Sequence, residues 1–96
     1  MTYFATVYTY DDRDDMRTEV RPDHRAYLAE LTAQGSLAVS GPYEGGARGA
    51  LLIFSAESED AARAIVAQDP FVLHGLVASH TVMEWKPVSG ALAEHF

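Results

Sequence analysis

The amino-acid sequence predicts a single α+β domain of the split βαβ, ferredoxin-like kind, built to pair with a copy of itself. Three observations carry this expectation. The elements read in the order βαββαβ. The 96 residues suit one domain, near the small end of what buries a self-sufficient core. The strands are apolar on both faces, although an antiparallel sheet with helices on one side needs only one apolar face.

The elements follow in order. Tyr3 to Tyr10 is rich in aromatic and β-branched residues and reads as a strand. The charged stretch Asp11-Asp12-Arg13-Asp14-Asp15 breaks it and reads as a solvated loop, since it lacks the central Gly and terminal Glu of a calcium loop. The first helix is predicted to open at Pro22, with Asp23 at its positive end, and to stop at Gly35. Tyr27, Leu28 and Leu31 lie between them at helical spacing.

Leu37 to Pro42 is a short apolar strand, and Tyr43 to Arg48 with Gly45-Gly46 is a hairpin loop. The glycine spacing from Gly41 to Gly46 imitates a phosphate loop, but no Lys follows and the segment joins two strands. Gly49 to Ser55 is a strand around Leu51-Leu52-Ile53-Phe54. Ser58 caps a second helix, with Glu59 and Asp60 in its first turn and Ala61, Ala62, Ile65 and Val66 inward. Asp69-Pro70 ends that helix, because proline disfavours helical geometry in the residue before it. Ala78 to Trp85 supplies the last strand. The domain core spans about 3–86, and 87–96 is a C-terminal tail. No internal repeat or low-complexity segment interrupts the chain.

Two crossovers and one hairpin place both helices on one face of a four-stranded antiparallel sheet. The other face stays apolar. Leu51 to Phe54 is apolar on both sides, and the first strand shows Phe4 and Tyr8 on one side with Ala5 and Val7 on the other. A symmetric homodimer through this helix-free face is the expected cover. The tail from Pro87 to Phe96 is too short to cover a sheet.

Composition narrows the partners. Hydrophobic residues make up 48% and charged residues 22%, which reads as globular. The net charge is -7, and the seven Lys and Arg form no run, so neither nucleic acid nor an anionic membrane is an expected partner. There is no cysteine, which removes disulfides and thiolate chemistry. No apolar run reaches membrane-spanning length and Met1-Thr2-Tyr3-Phe4 has no leader character, so a cytoplasmic setting is expected.

Two ionisable residues stand out. His24 forms an i, i+3, i+4, i+7 set with Tyr27, Leu28 and Leu31, so its imidazole lies on the apolar stripe of the first helix. Asp69 extends the Ala62, Ile65, Val66 stripe in the same way. The topology brings the start of helix one, the end of helix two, Ser40-Gly41-Pro42 and Phe71 to His80 to one end of the domain. A buried carboxylate needs a partner, and an imidazole is a natural one. Such a pair fixes the ring tautomer and can run acid–base chemistry near neutral pH.

Around the pair, Tyr8, Tyr10, Phe71 and Trp85 are candidate aromatic walls, Ser40 is a candidate hydrogen-bond donor, and His74 and His80 are candidate lining residues. The last two show no tight metal-ligand spacing, so no metal and no cofactor is expected.

These residues also resemble a family. Arg21-Pro22-x-His24-x-x-Tyr27-Leu28, then Gly35-x-Leu37, Ser40-Gly41-Pro42 and Asp69-Pro70-Phe71, in this order and spacing, look like the YciI-like proteins. The resemblance runs from Tyr3 to about Trp85, and the tail takes no part. It implies a dimeric α+β barrel and a site on a His–Asp pair, here His24 and Asp69, with Ser40 nearby. For some members it implies lyase-like elimination from small cyclic or aromatic compounds.

Three functional classes follow. The first is a small-molecule enzyme with lyase- or hydrolase-like chemistry, His24 shuttling the proton and Asp69 orienting it. The second is a relative within the dimeric barrel, such as a cofactor-free monooxygenase, an isomerase or a haem-handling protein. The third is a non-catalytic ligand-binding or assembly module, in which the pair only ties two helices together.

Overall fold

The computed structural model describes residues 1–96. Its elements are β1 (Thr2–Thr9), α1 (Asp14–Ala33), β2 (Leu37–Pro42), β3 (Gly49–Ala56), α2 (Glu59–Ala67), α3 (Pro70–Leu73) and β4 (Ser79–Trp85), with a 3-10 turn at Ala93–His95. The strands form one antiparallel sheet in the order β2-β3-β1-β4. The architecture is the α+β split βαβ expected from the element order.

Register explains which side chains meet. Phe4 of β1 lies opposite Phe54 of β3, and Tyr8 lies opposite Ala50. Side chains alternate along a strand, so Phe4, Thr6 and Tyr8 share a face with Leu52, Phe54 and Val82. All six are buried, and the helices contribute Leu31, Ala62 and Val66 to the same core. Gly49 sits at the edge of this region, where a Cβ would lie 2.2 Å from the Tyr8 carbonyl oxygen. Glycine is what lets β3 begin so close to β1.

The opposite face holds Val39, Leu51, Met83 and Trp85, which are 54%, 41%, 66% and 39% exposed. The tail covers only one end of it. There the Phe96 ring packs edge-on against Tyr3 and Trp85, with centroids 5.0 and 5.5 Å away. No helix is long and apolar enough to cross a membrane.

The first helix departs from expectation. It opens at Asp14 and carries Pro22 in its interior. Proline there removes one helical hydrogen bond at Thr18, but Thr18 and Pro22 are both exposed and water reaches that carbonyl. The acidic stretch is therefore more than a solvated loop. Asp14 and Asp15 occupy the first turn, where negative charge complements the helix dipole. Arg17, only 2% exposed, donates to Asp11 Oδ1 at 3.0 Å, Asp14 Oδ1 at 2.7 Å and the Leu76 carbonyl at 3.2 Å. The Asp11 carboxyl is held well below the usual carboxylate range by hydrogen bonds from Arg13 and then Arg17. This network anchors the early start of α1.

The second departure is α3. Ser58 caps α2 as expected, accepting from the Ala61 N–H, and α2 ends at Ala67. Asp69 does not continue its stripe. Its backbone is extended (φ -64°, ψ 127°), and it caps a short new helix that begins at Pro70. The turn, rather than α2, aims the carboxylate inward.

Candidate active site

Asp69 is 1% exposed, and each of its carboxylate oxygens is engaged. As the cap of α3 it accepts the Phe71 N–H on Oδ1 at 2.9 Å. From β1, the Tyr8 hydroxyl donates to Oδ2 at 2.9 Å. From α1, His24 Nδ1 lies 2.7 Å from Oδ1. A charge without partners could not be buried this deeply, and donors from three elements meet that need.

This arrangement assigns the imidazole proton. An ionised carboxylate only accepts, so Nδ1 carries the hydrogen, and in the neutral form of the ring the lone pair lies on Nε2. Nε2 makes no hydrogen bond within the chain. The ring plane is fixed by Phe71, which stacks on it at 4.0 Å between centroids and 5° between planes. Tyr8 supports the pair from below. Burial, and then the Asp69 charge, push its phenol far above the ordinary range, so it stays a donor.

His24 opens onto a cleft of about 530 Å³, bounded by one face of α1, the end of β2, the start of β3 and Phe71 of α3. That size lies in the range of small-molecule sites. Tyr10, Phe71, Leu28 and Leu52 give it apolar and aromatic walls, and Ser40 and Tyr43 stand on the β2 side. Tyr10 packs edge-on to Phe71 at 5.9 Å, and the Arg17 guanidinium lies 4.7 Å from its ring centroid. Its phenol is pushed up to about 12, chiefly by burial and then by the Asp69 charge, with Arg17 and Arg21 opposing.

The residues singled out in the sequence divide accordingly. His24, Ser40, Tyr10 and Phe71 line the cleft, and Asp69 lies behind His24. Tyr8 is not a wall, because it is fully buried under Asp69. His74 is an exposed residue at the end of α3, away from the cleft. His80 is exposed on β4, with its ring 6.5 Å from that of Tyr8, and also lies outside the cleft. Trp85 pairs with Tyr3, whereas Tyr8 pairs with His80. The antiparallel register therefore carries Trp85 to the far end of the sheet. His24 itself stands in the middle of α1, not in its first turn.

Among the lining residues not singled out as site residues are four arginines: Arg17, Arg21, Arg25 and Arg48. Three of them recur every fourth residue, a helical signal hidden by starting the helix at Pro22.

The YCII-related domain matches residues 1–86. The chain belongs to this family. No curated protein matches it. Among solved structures it is similar to a 5-chloro-2-hydroxyhydroquinone dehydrochlorinase from Burkholderia phenoliruptrix, solved in complex with 2,5-dihydroxybenzoquinone. The two share 30% identity and superpose with a TM-score of 0.80, over 90% of this chain and 95% of that one. This YCII-related domain thus shares both sequence and fold with a protein that handles a small hydroxylated ring.

Proposed function

We propose that this YCII-related domain is a small-molecule lyase, with His24 as the proton-transfer group of an elimination. One observation carries the reading: Nε2 is the unbonded end of an imidazole whose other end is fixed by a buried carboxylate, and the ring borders the cleft. Nε2 removes a proton from the substrate, and the released electron pair becomes a new double bond. The leaving group departs with its own bonding pair, as chloride would. Asp69 stabilises the imidazolium formed, and Tyr8 keeps Asp69 in place. Tyr10 and Phe71 offer flat apolar surfaces for a ring, and Ser40 a hydrogen bond to its substituents. The dehydrochlorinase relative supports this class of reaction.

The test uses that relative's compounds. Co-crystallised 2,5-dihydroxybenzoquinone is expected in the cleft with an atom about 2.6–3.2 Å from His24 Nε2. Chloride release from 5-chloro-2-hydroxyhydroquinone is expected in solution. A ring bound elsewhere, with no chloride released, would overturn the proposal.

The same reading includes a homodimer joined through the helix-free face. Val39, Leu51 and Met83 form an apolar surface that the tail leaves bare. Sedimentation velocity at micromolar concentration should give twice the chain mass, and Met83→Glu should shift it toward one. A wild-type monomer would rule the interface out.

A further inference from the structure

We infer that the substrate is a small anion, held through a negatively charged oxygen by Arg21 and Arg25 beside His24; this rests on the cleft being the active site. The first ground is the distribution of charge. Four of the chain's seven basic residues line this cleft, with only one of its fourteen acidic residues, Asp14. A chain of net charge -7 therefore gathers its positive charge at one concavity, where low-dielectric walls concentrate the field. The outer surface stays acidic, which favours a small anion over a polyanion such as nucleic acid.

The second ground is that the fold uses only half of these arginines. Arg17 is buried and bound to Asp11 and Asp14, and Arg48 reaches Asp14 at 3.3 Å. Arg21 and Arg25 make no hydrogen bond or ion pair within the chain. Arg17, Arg21 and Arg25 stand at i, i+4 and i+8 on α1, an arrangement in which like charges repel and weaken the helix. Neither of the last two has an ion-pair partner inside the protein to offset that repulsion. A bound anion would.

The third ground is chemical. Each basic residue in the cleft is an arginine and none a lysine, and a guanidinium fork matches a carboxylate or an ionised hydroxyl through paired hydrogen bonds. Arg21 precedes His24 by about one turn and Arg25 follows it directly. An oxygen held there leaves the adjoining substrate atoms within reach of Nε2. When Nε2 takes a proton, negative charge builds on the substrate and spreads to that oxygen, where the two guanidinium groups already stand. The arginines then serve recognition and elimination alike.

The experiment compares two benzoquinones with the same substitution pattern, one with free hydroxyls and one with both methylated. 2,5-Dihydroxybenzoquinone is ionised at neutral pH, whereas 2,5-dimethoxybenzoquinone cannot ionise. Each is titrated by calorimetry into the full chain and into Arg21→Gln, Arg25→Gln and the double variant, with melting temperatures confirming folding. The dihydroxy compound should bind the wild type at least about tenfold more tightly than the dimethoxy compound. The double variant should lose about 10²-fold for the ionised ring and little for the neutral one. Raising NaCl from about 20 to 300 mM should weaken only the ionised ring. Equal affinity for the two rings, a preference that survives the double substitution, or no binding of the dihydroxy compound at millimolar concentration would each overturn the inference. Chloride release without charge preference would sink the anion site alone. Charge preference without chloride release would sink the lyase reading alone.

Discussion

Replacing His24 by Ala is expected to lower turnover about 10²–10⁴-fold while the domain stays folded. The loss of rate follows from removing the unbonded imidazole nitrogen of a residue that lines the cleft. The cost to stability is set by Asp69. A buried carboxylate stripped of a sole partner costs about 3–5 kcal/mol. Here it keeps the Tyr8 hydroxyl and the Phe71 N–H, so the cost is closer to that of one lost hydrogen bond, about 1–3 kcal/mol. Alanine returns a few tenths through its helix propensity. At about 4–8 °C per kcal/mol for a domain of this size, Tm should fall by about 3–20 °C. Turnover and Tm measured on one preparation decide the matter. A larger collapse of Tm, with residual activity following only the folded fraction, would make the pair structural and the cleft a binding site.

Asp69→Asn should reduce turnover about 10²-fold, less than the roughly 10⁴-fold loss seen when an acid-to-amide change reverses a catalytic imidazole. The hydrogen bonds explain why. Two N–H donors, from His24 and Phe71, converge where Oδ1 lies, so the asparagine carbonyl takes that place and the ring keeps its hydrogen on Nδ1. The amide N–H₂ then faces Tyr8, whose hydroxyl must accept and loses its own acceptor in a dry site. That mismatch costs about 1–3 kcal/mol. What catalysis loses is the countercharge to the imidazolium, not the tautomer. Nitrogen NMR of the ring separates the two outcomes. A hydrogen found on Nε2 in the variant would show that the amide sits the other way round and that the rate loss has a different cause.

The order of elements and the inward stripes of the helices were legible because strand-forming composition, turn residues and helical spacing are strong signals. The approach of His24 to Asp69 was legible too, since both lie on inward stripes. For Asp69 the reason was different from the one the spacing offered: an extended residue capping α3, not the end of α2. A four-residue helix has too few positions to show a period. Pro22 hid the first eight residues of α1, because proline is so favourable at a helix start that its tolerance in an exposed interior turn went unweighed. With those residues went the placement of Arg17 and Arg21 on the helix. Trp85 and Tyr8 were misplaced for simpler reasons. Composition marks an aromatic residue as a candidate wall, but only the register tells which end of the sheet it occupies, and only packing tells whether it is covered.

The two sides of the cleft differ in how firmly they are built. His24 is carried near the midpoint of a twenty-residue helix, beyond the reach of fraying at either end, and is clamped by a stacked ring and a buried acid. Across from it, Tyr43, Ala47 and Arg48 belong to a hairpin whose Gly45 and Gly46 occupy backbone space closed to most side chains (φ +86° and +143°). A change of substrate size or shape would thus be absorbed by the hairpin, and the proton-transfer atom would hold its position. Redesign of specificity belongs in residues 43–48, where length and composition can change without disturbing the base.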